Sequence, residues 1–363
     1  MNKSAFHLPS WASKATALLN NRIVGILLIV LVLYGLILAS DPGARTGQNH
    51  QRLAERLAYY GVLTLGAGLL IISGGIDLSI GSVFCLAAVA FGLLLQERVP
   101  EWLAVLVVLG GAGVIGLLNG VLVTRLRLQP FIVTLCGLFI YRGLANWLSL
   151  PSPLAPLRAL LRFISFGLLY PDQTVAGQSA RVIGISERAK ELESLIFLSK
   201  GDWYGFPVRL VIVLGLAAMI AVLLHLSVYG RYLYAIGANE QAASYAGIGV
   251  KRYKVLAYVA CAVLAAVGGM IELLDIGSAM PSETGNMYEL YAITGAVLGG
   301  CSLRGGEGTV LGILLGTAVL PLLRNLCNFT GIPSDLNYIV IGFALLLGMI
   351  ADELLKRRRA KRL

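Results

Sequence analysis

The chain has 363 residues, of which 57% are hydrophobic and 13% charged, whereas a soluble domain carries about 25% charged residues; lipid must therefore solvate most of it. The formal net charge of +10 sits in short clusters between apolar runs, the distribution of a protein oriented by the positive-inside rule, and nucleic-acid binding along a basic face is excluded. Cys85, Cys136, Cys261, Cys301 and Cys327 lack CxxC spacing, and His7, His50 and His225 are scattered, so neither a disulfide framework nor a metal site is expected.

Apolar segments fall at roughly 22–40, 55–73, 78–96, 101–123, 130–149, 208–228, 254–274, 288–301, 309–328 and 336–351. They predict an all-α, polytopic integral membrane protein with about ten transmembrane helices. The first segment follows basic Lys3, Lys14 and Arg22 as a signal peptide would, but its apolar run is long and no A-x-A site follows, so it reads as a retained span. The third opens directly after Gly74-Gly75-Ile76-Asp77, and the eighth is short and ends at Gly299-Gly300. Both junctions read as short or broken helices inside the bilayer, where irregular backbone is tolerated only against protein or a watery cavity. They also echo each other. Gly74-Gly75-Ile76-Asp77-Leu78 matches Gly299-Gly300-Cys301-Ser302-Leu303, and Gly-Ser-Val or Gly-Thr-Val follows, as in transporters built from repeats with broken helices at matching places.

Ten crossings put both termini on one side. Of the 29 Lys and Arg residues, 16 lie in the N-terminal group, at Arg125 and Arg127, from Arg231 to Lys254, at Arg304 and in the tail from Lys356 to Arg362, which assigns that side to the cytoplasm. The chain then reads as a single membrane domain, 1–363, with an extracytoplasmic insertion at 151–207 and a cytoplasmic loop at 229–253. Within the insertion, Pro156 to Tyr170 suits an interfacial helix. Ser186-Glu187-Arg188-Ala189-Lys190-Glu191-Leu192-Glu193 reads as a short solvated helix capped by Ser186.

Few motifs carry chemistry. Gly111-Ala112-Gly113-Val114-Ile115-Gly116 matches a dinucleotide fingerprint, but it lies in mid-span with no strand before it; small residues there serve close helix packing in lipid. No GxxxxGK[ST] loop occurs, so ATP, if used, must be bound by a partner, and no catalytic constellation appears. Asp77 opens a helix, where it either caps Ser79 and Ile80 or serves a solute path. Asn119, Thr134, Asn146 and Asn325 are polar positions on apolar spans that either line a path or bond between helices. Arg142 snorkels or pairs with an acid such as Glu289. Glu272, Asp275, Glu283 and Glu289 cluster toward one end of their spans.

The stretch Tyr229 to Val250 reads as a helix between two spans. Asn239 is a natural N-cap, Glu240 complements the helix dipole, Ala242, Ala243 and Ala246 make a smooth face, and Gly247 ends the helix. A short helix of this kind suits a groove on another protein.

This stretch resembles the coupling region of ABC-type sugar permeases of the ribose, xylose, arabinose and galactose kind. So do Ser73-Gly74-Gly75-Ile76-Asp77-Leu78-Ser79-Ile80-Gly81-Ser82, Gln129-Pro130-Phe131-Ile132-Val133-Thr134-Leu135, Tyr141-Arg142-Gly143-Leu144-Ala145, and Tyr288-Glu289-Leu290 leading to Gly299 through Val310. The resemblance covers roughly 50–150 and 208–352. It implies a permease subunit without an ATPase site of its own, in the bacterial inner membrane, passing a monosaccharide by alternating access. The implied partners are a second permease subunit, identical or not, an ATPase with two nucleotide-binding halves that holds ATP and Mg2+, and an extracytoplasmic solute-binding protein.

Carried onto this chain, Gly237, Asn239, Glu240, Ala242, Ala243, Gly247 and Ile248 form the helix that seats in the ATPase, with Glu240 and Gly247 expected to matter for coupling and not for folding. Asp77, Asn119, Phe131, Thr134 and Asn325 are the candidate translocation path. Two features depart from the family: the long connection 151–207, and Asp275 where many members have a basic residue. A secondary transporter driven by an ion gradient is the alternative, and within the importer reading the solute is alternatively a nucleoside or a signalling sugar derivative.

Overall fold

The structure, a computed structural model, describes residues 22–150, 182–185, 191–203 and 205–333, with isolated positions 336, 339, 342, 343 and 346. Twelve α-helices are described: α1 (Arg22–Ser40), α2 (Gly47–Ile72), α3 (Ile80–Gln96), α4 (Glu101–Thr124), α5 (Pro130–Leu148), α6 (Glu193–Lys200), α7 (Val208–Leu226), α8 (Val228–Ala238), α9 (Glu240–Tyr245), α10 (Val250–Ile276), α11 (Tyr288–Leu298) and α12 (Val310–Phe329). Each predicted apolar segment up to residue 328 is one of these helices. α2 begins before its apolar run because the Thr46 hydroxyl caps the Asn49 amide at 3.3 Å and starts the helix in polar sequence.

Of the segment 336–351 only isolated positions are described, and the interfacial helix expected at 156–170 lies outside the described residues, as does the Ser186 cap. The described helix nearest that cap is α6. It begins at Glu193, where the predicted helix ended, and its N-cap Leu192 makes no side-chain bond.

Among the described residues seven helices are long and apolar enough to cross a membrane. At 1.5 Å per residue, the 17 residues of α3 and the 11 of α11 extend about 26 Å and about 16 Å, so α11 covers only half of a hydrocarbon core of about 30 Å.

The bundle has two chemically distinct ends. At one, Gln96 Nε2 at the end of α3 donates to Gly184 O at 2.7 Å. Strand β1 (Ile183–Gly184) pairs antiparallel with β4 (Ser278–Ala279) just past α10, and the hairpin β2 (Asp202–Trp203) and β3 (Phe206–Pro207) leads into α7. Ser199 Oγ donates to Ile271 O at 3.0 Å, so the described residues 182–185 and 191–203 lie over the ends of α3 and α10. At the opposite end lie Arg125, Arg127, Arg231, Lys251, Arg252, Lys254 and Arg304, with Glu240 and Glu307 as the acids among them; this is the basic end.

α10 runs through the middle of the bundle against α2, α3 and α4. In lipid no hydrophobic force draws helices together, so contact depends on close packing of small residues. A Cβ on Gly116 would stand 2.6 Å from Val259 Cα, and one on Gly120 would stand 2.9 Å from Val255 Cα. Of the fingerprint-like glycines only Gly116 serves this contact; Gly111 and Gly113 face open space.

Both broken helices end in the same hydrogen-bonded turn. After α2, Gly74 has φ of 77°, its amide reaches Ile71 O at 2.9 Å, and the Gly75 amide reaches Leu70 O at 3.0 Å. After α11, Gly300 has φ of 92°, its amide reaches Val297 O at 2.9 Å, and the Cys301 amide reaches Ala296 O at 3.0 Å. These are Schellman motifs, which satisfy the last carbonyls of a helix through a left-handed residue. The two junctions thus share a turn, displaced by one residue from the sequence echo, since Gly74 corresponds to Gly300 and not to Gly299.

Candidate translocation path and coupling surface

The two breaks meet at the basic end. Gly306 N donates to Ile72 O at 2.9 Å, and Tyr234 OH of α8 donates to Gly308 O at 2.7 Å. Gly237, one residue before the end of α8, fills the crossing: a Cβ there would collide with Ile72 O and Gly306 N, and it would stand 3.1 Å from Gly305 C. All of these are backbone atoms. α8 thus touches the loops after both α2 and α11 through a contact that admits only glycine.

α9 follows directly. Asn239 Oδ1 accepts from the Ala242 amide at 2.9 Å, as its N-cap assignment requires. Gly247, with φ of 82°, closes α9 through Gly247 N to Ser244 O at 3.0 Å and Ile248 N to Ala243 O at 3.1 Å, a further Schellman turn. The smooth face is not the one expected. Ala243 points inward and packs with Ile236, Ile248 and Val250, because a six-residue helix must bury one side to be held at all. The outward surface is Gln241, Ala242, Ser244, Ala246 and Tyr245, the last 90% exposed.

Glu240 also differs from expectation. Its Oε2 lies 2.5 Å from Nζ of Lys254, whose side chain is 10% exposed, so the carboxylate fixes α9 to α10 within the chain. Reversing Glu240 leaves a largely buried ammonium unpaired, a loss of about 1–3 kcal/mol. Glu240→Lys is expected to lower the thermal midpoint of the purified permease, and Glu240→Lys with Lys254→Glu to recover more than half of that loss. A single variant as stable as the wild type would show the pair to be inert.

The proposed path residues divide. Asp77, 2% exposed, accepts from Ser79 N at 2.7 Å and from Ser79 Oγ at 2.5 Å. Asn119 Nδ2 donates to Ser79 Oγ at 3.1 Å and Tyr141 OH donates to Asn119 Oδ1 at 2.8 Å. This network ties α3, α4 and α5 beside the first break and turns inward. The Thr134 hydroxyl, fully buried, bonds back to Pro130 O at 2.9 Å. Asn325 Nδ2 donates to Asn49 Oδ1 at 2.7 Å, joining α12 to the start of α2, far from Asp77. Asn146 Nδ2 bonds Arg142 O at 3.0 Å within α5. Phe131 alone of the path set is exposed, at 55%.

Arg142 neither snorkels nor is spent on one acid. Its Nη1 donates to Pro281 O at 2.9 Å and to Thr284 O at 2.6 Å, and its Nη2 to Gly285 O at 3.2 Å; its charge also acts on Glu289. The clamped turns, residues 280–287, return into the bundle from β4. Gly285 O abuts Gly81, and Cys85 Sγ lies 3.7 Å from Pro281 O. Gly81 is fifteen residues from Gln96 along α3, about 22 Å of helix below the end that carries β1 and β4.

The acids do sit at the ends of their helices, Glu272 and Asp275 in the last two turns of α10 and Glu289 in the first turn of α11, but they meet different partners. Asp275, exceptional within the resemblance, accepts from Arg209 Nη1 at 2.9 Å, while Arg209 Nη2 lies 2.8 Å from Glu55 and the Tyr59 hydroxyl joins both Arg209 and Asp275. The group binds α2, α7 and α10. Glu272 and Glu289 are 5% and 7% exposed, and the Oε2 of each has no hydrogen-bond partner among the described residues. Glu272 lies close to the Tyr288 hydroxyl, and Arg324 reaches the Tyr60 and Tyr291 hydroxyls at 2.7 Å and 2.6 Å across α2, α11 and α12. Arg209 and Arg324 lie scores of residues from their partners on α2 in sequence, so spacing could not reveal their meeting. No cluster of three or more metal-ligating side chains occurs among the described residues.

Non-helical backbone this deep in an apolar bundle belongs to transport proteins, in which broken helices surround a route for polar solutes. A family profile described as "branched-chain amino acid transport system / permease component" matches residues 50–349, and the chain belongs to that family. It is similar to the ribose import permease of Escherichia coli K12, 30% identical over 335 residues, 90% of this chain and 92% of that one. The fructose import permease of Bifidobacterium longum is 34% identical over 82% of this chain and 80% of its own length. The galactose/methyl galactoside import permease of Haemophilus influenzae is 29% identical over 90% and 92%. No solved structure matches the chain. The protein is thus a permease component of an ABC-type importer. Family membership, and not the number of buried acids, sets aside the ion-gradient alternative, because Asp77, Glu272 and Glu289 would have supplied acids enough.

Proposed function

We propose that this permease passes a monosaccharide across the bacterial inner membrane by alternating access, with both termini and the basic end in the cytoplasm. Similarity along nine-tenths of the chain to permeases named for ribose and galactose carries the choice of sugar over the amino acids in the family description. The clustering of Arg125, Arg127, Arg231 and Lys251 through Lys254 at one end supports the orientation.

In this reading Gly237, Asn239, Glu240, Ala242, Ala243, Gly247 and Ile248 build the surface that seats in an ATPase with two nucleotide-binding halves. Asn239 and Gly247 set the ends of α9, Glu240 and Ala243 anchor it, and Ala242 with Tyr245 meets the partner. ATP and Mg2+ reside in that partner, and this chain is not itself an enzyme. A second permease subunit completes the path, and a solute-binding protein docks over the 151–207 insertion. Asp77 and Asn119 act as a structural node at the first break.

Affinity-purified permease is expected to carry an ATPase with it, to hydrolyse no ATP when stripped of that partner, and to support uptake of D-ribose or D-galactose in vesicles with the cognate binding protein. In intact cells an impermeant thiol reagent is expected to label Ser194→Cys and to spare Ser244→Cys. ATP turnover by the isolated chain, or reversed labelling, would remove this reading.

A further inference from the structure

We infer that the turns Met280–Met287 and the first turn of α11 line the solute path and select for an uncharged, polyhydroxylated solute. This rests on the proposed reading of the chain as a solute-passing subunit. Pro281, beside Cys85, and Gly285, beside Gly81, lie about 16 Å and about 22 Å of helix from the end by which the segment enters. Irregular backbone at that depth is never left against lipid; it is covered by protein or faces water.

Here the two sides of the segment differ. The back is covered: Pro281, Thr284 and Gly285 carbonyls accept from Arg142, the Met280 amide donates to Thr284 Oγ1 at 3.0 Å, and Pro281, Thr284 and Gly285 are buried. The front is not. Ser282, Glu283 and Asn286 are exposed, and no side-chain bond is recorded for them among the described residues. Polar side chains held open at this depth need water and a polar ligand in front of them.

The chemistry of the front restricts that ligand. A hydroxyl, a carboxylate and an amide are donors and acceptors for sugar hydroxyls, and Met287 and Leu290, 39% and 44% exposed, offer an apolar surface to C–H faces. Glu283 is the one exposed charge on the segment, whereas the Arg142 guanidinium lies on the covered back, donating to three carbonyls. A phosphorylated or carboxylated solute would therefore meet a carboxylate at the exposed front. The same geometry explains why the path residues expected from sequence point elsewhere: their polar atoms are consumed inside the bundle.

The test uses the assembled transporter in membrane vesicles, with the exposed native thiol removed as Cys136→Ala. Ser282→Cys and Asn286→Cys are reacted with the cationic reagent 2-(trimethylammonium)ethyl methanethiosulfonate. Both are expected to react within about tenfold of Gln48→Cys, exposed in the first turn of α2, and about a hundredfold faster than the apolar-face control Phe139→Cys, since thiolates scarcely form in lipid. Modification is expected to block uptake. At Ser282→Cys the anionic sulfonatoethyl reagent should be slower than the cation by about tenfold more than at Gln48→Cys, and Glu283→Gln should collapse that difference.

Reactivity as low as that of Phe139→Cys at both positions would overturn the assignment. So would oxidative cross-linking of Ser282→Cys to a second copy without reaction toward either reagent, because the face would then be covered by a subunit. Reaction without charge discrimination would overturn the selectivity for uncharged solutes. Absence of a copurifying ATPase would remove the importer reading and leave these labelling rates as they are, so the two failures are distinguishable.

Discussion

Arg142→Ala is expected to abolish uptake while the permease still reaches the membrane. The guanidinium donates three hydrogen bonds to carbonyls of residues 281–285, a segment that has little regular structure of its own. A hydrogen bond to a charged group contributes about 1.5–3 kcal/mol, and three are lost together. Losses of that size unseat the turns, yet leave a bundle of lipid-solvated helices assembled. Arg142→Lys is expected to rescue only partly, because one ammonium cannot present the planar fork that spans Pro281, Thr284 and Gly285 together. The measurement is uptake in vesicles matched for permease content. Arg142→Ala transport within about twofold of wild type would mean that the turns hold their place without the clamp.

The second large effect is expected at Gly237, where Gly237→Val should uncouple ATP hydrolysis from transport or prevent assembly with the ATPase. A side chain there drives into the backbone of Ile72, Gly305 and Gly306, none of which can rotate away. Overpacking of this kind costs about 1–3 kcal/mol, and here relief requires displacing α8 from both helix breaks at once. Gly247→Ala provides the comparison. Gly247 has open space around it and φ of 82°, so that change meets only the left-handed backbone penalty of about 1–2 kcal/mol. Solute-stimulated ATPase activity and uptake, measured side by side, are expected to fall more than tenfold for Gly237→Val and by much less for Gly247→Ala. Equal effects would show that the Gly237 contact transmits nothing.

How α8 and the breaks join bears on coupling. The short helices at the basic end do not merely project toward a partner; through Gly237 and Tyr234 they bear on the loops after α2 and α11. A shift of α8–α9 would move two half-helices that both enter the membrane interior, a direct mechanical route between an ATP-driven partner and the path.

The helix positions were legible in the sequence, since runs of apolar residues about as long as the bilayer is thick have one stable form in lipid, the hydrogen-bonded helix. The breaks were legible for the same reason, because Gly74-Gly75 and Gly299-Gly300 interrupt such runs with residues that accept a left-handed turn. So were the ends of α9, where Asn239 caps and Gly247 terminates through bonds reaching only a few residues along the chain.

What the tertiary structure alone decided is where each polar side chain spends its bonds. Glu240 faces Lys254, Asn325 faces Asn49, Asp275 faces Arg209 and Arg142 faces the carbonyls of 281–285. An isolated polar residue on an apolar helix is equally suited to a path or to a neighbouring helix. Partners as far apart as residues 49 and 325 are brought together by helix packing, and no local pattern encodes that meeting. The descent of residues 280–287 has the same origin: their polar, turn-rich sequence would suit an external loop, and it is the clamp from α5 and the close approach of Gly81 to Gly285 that hold them deep in the bundle.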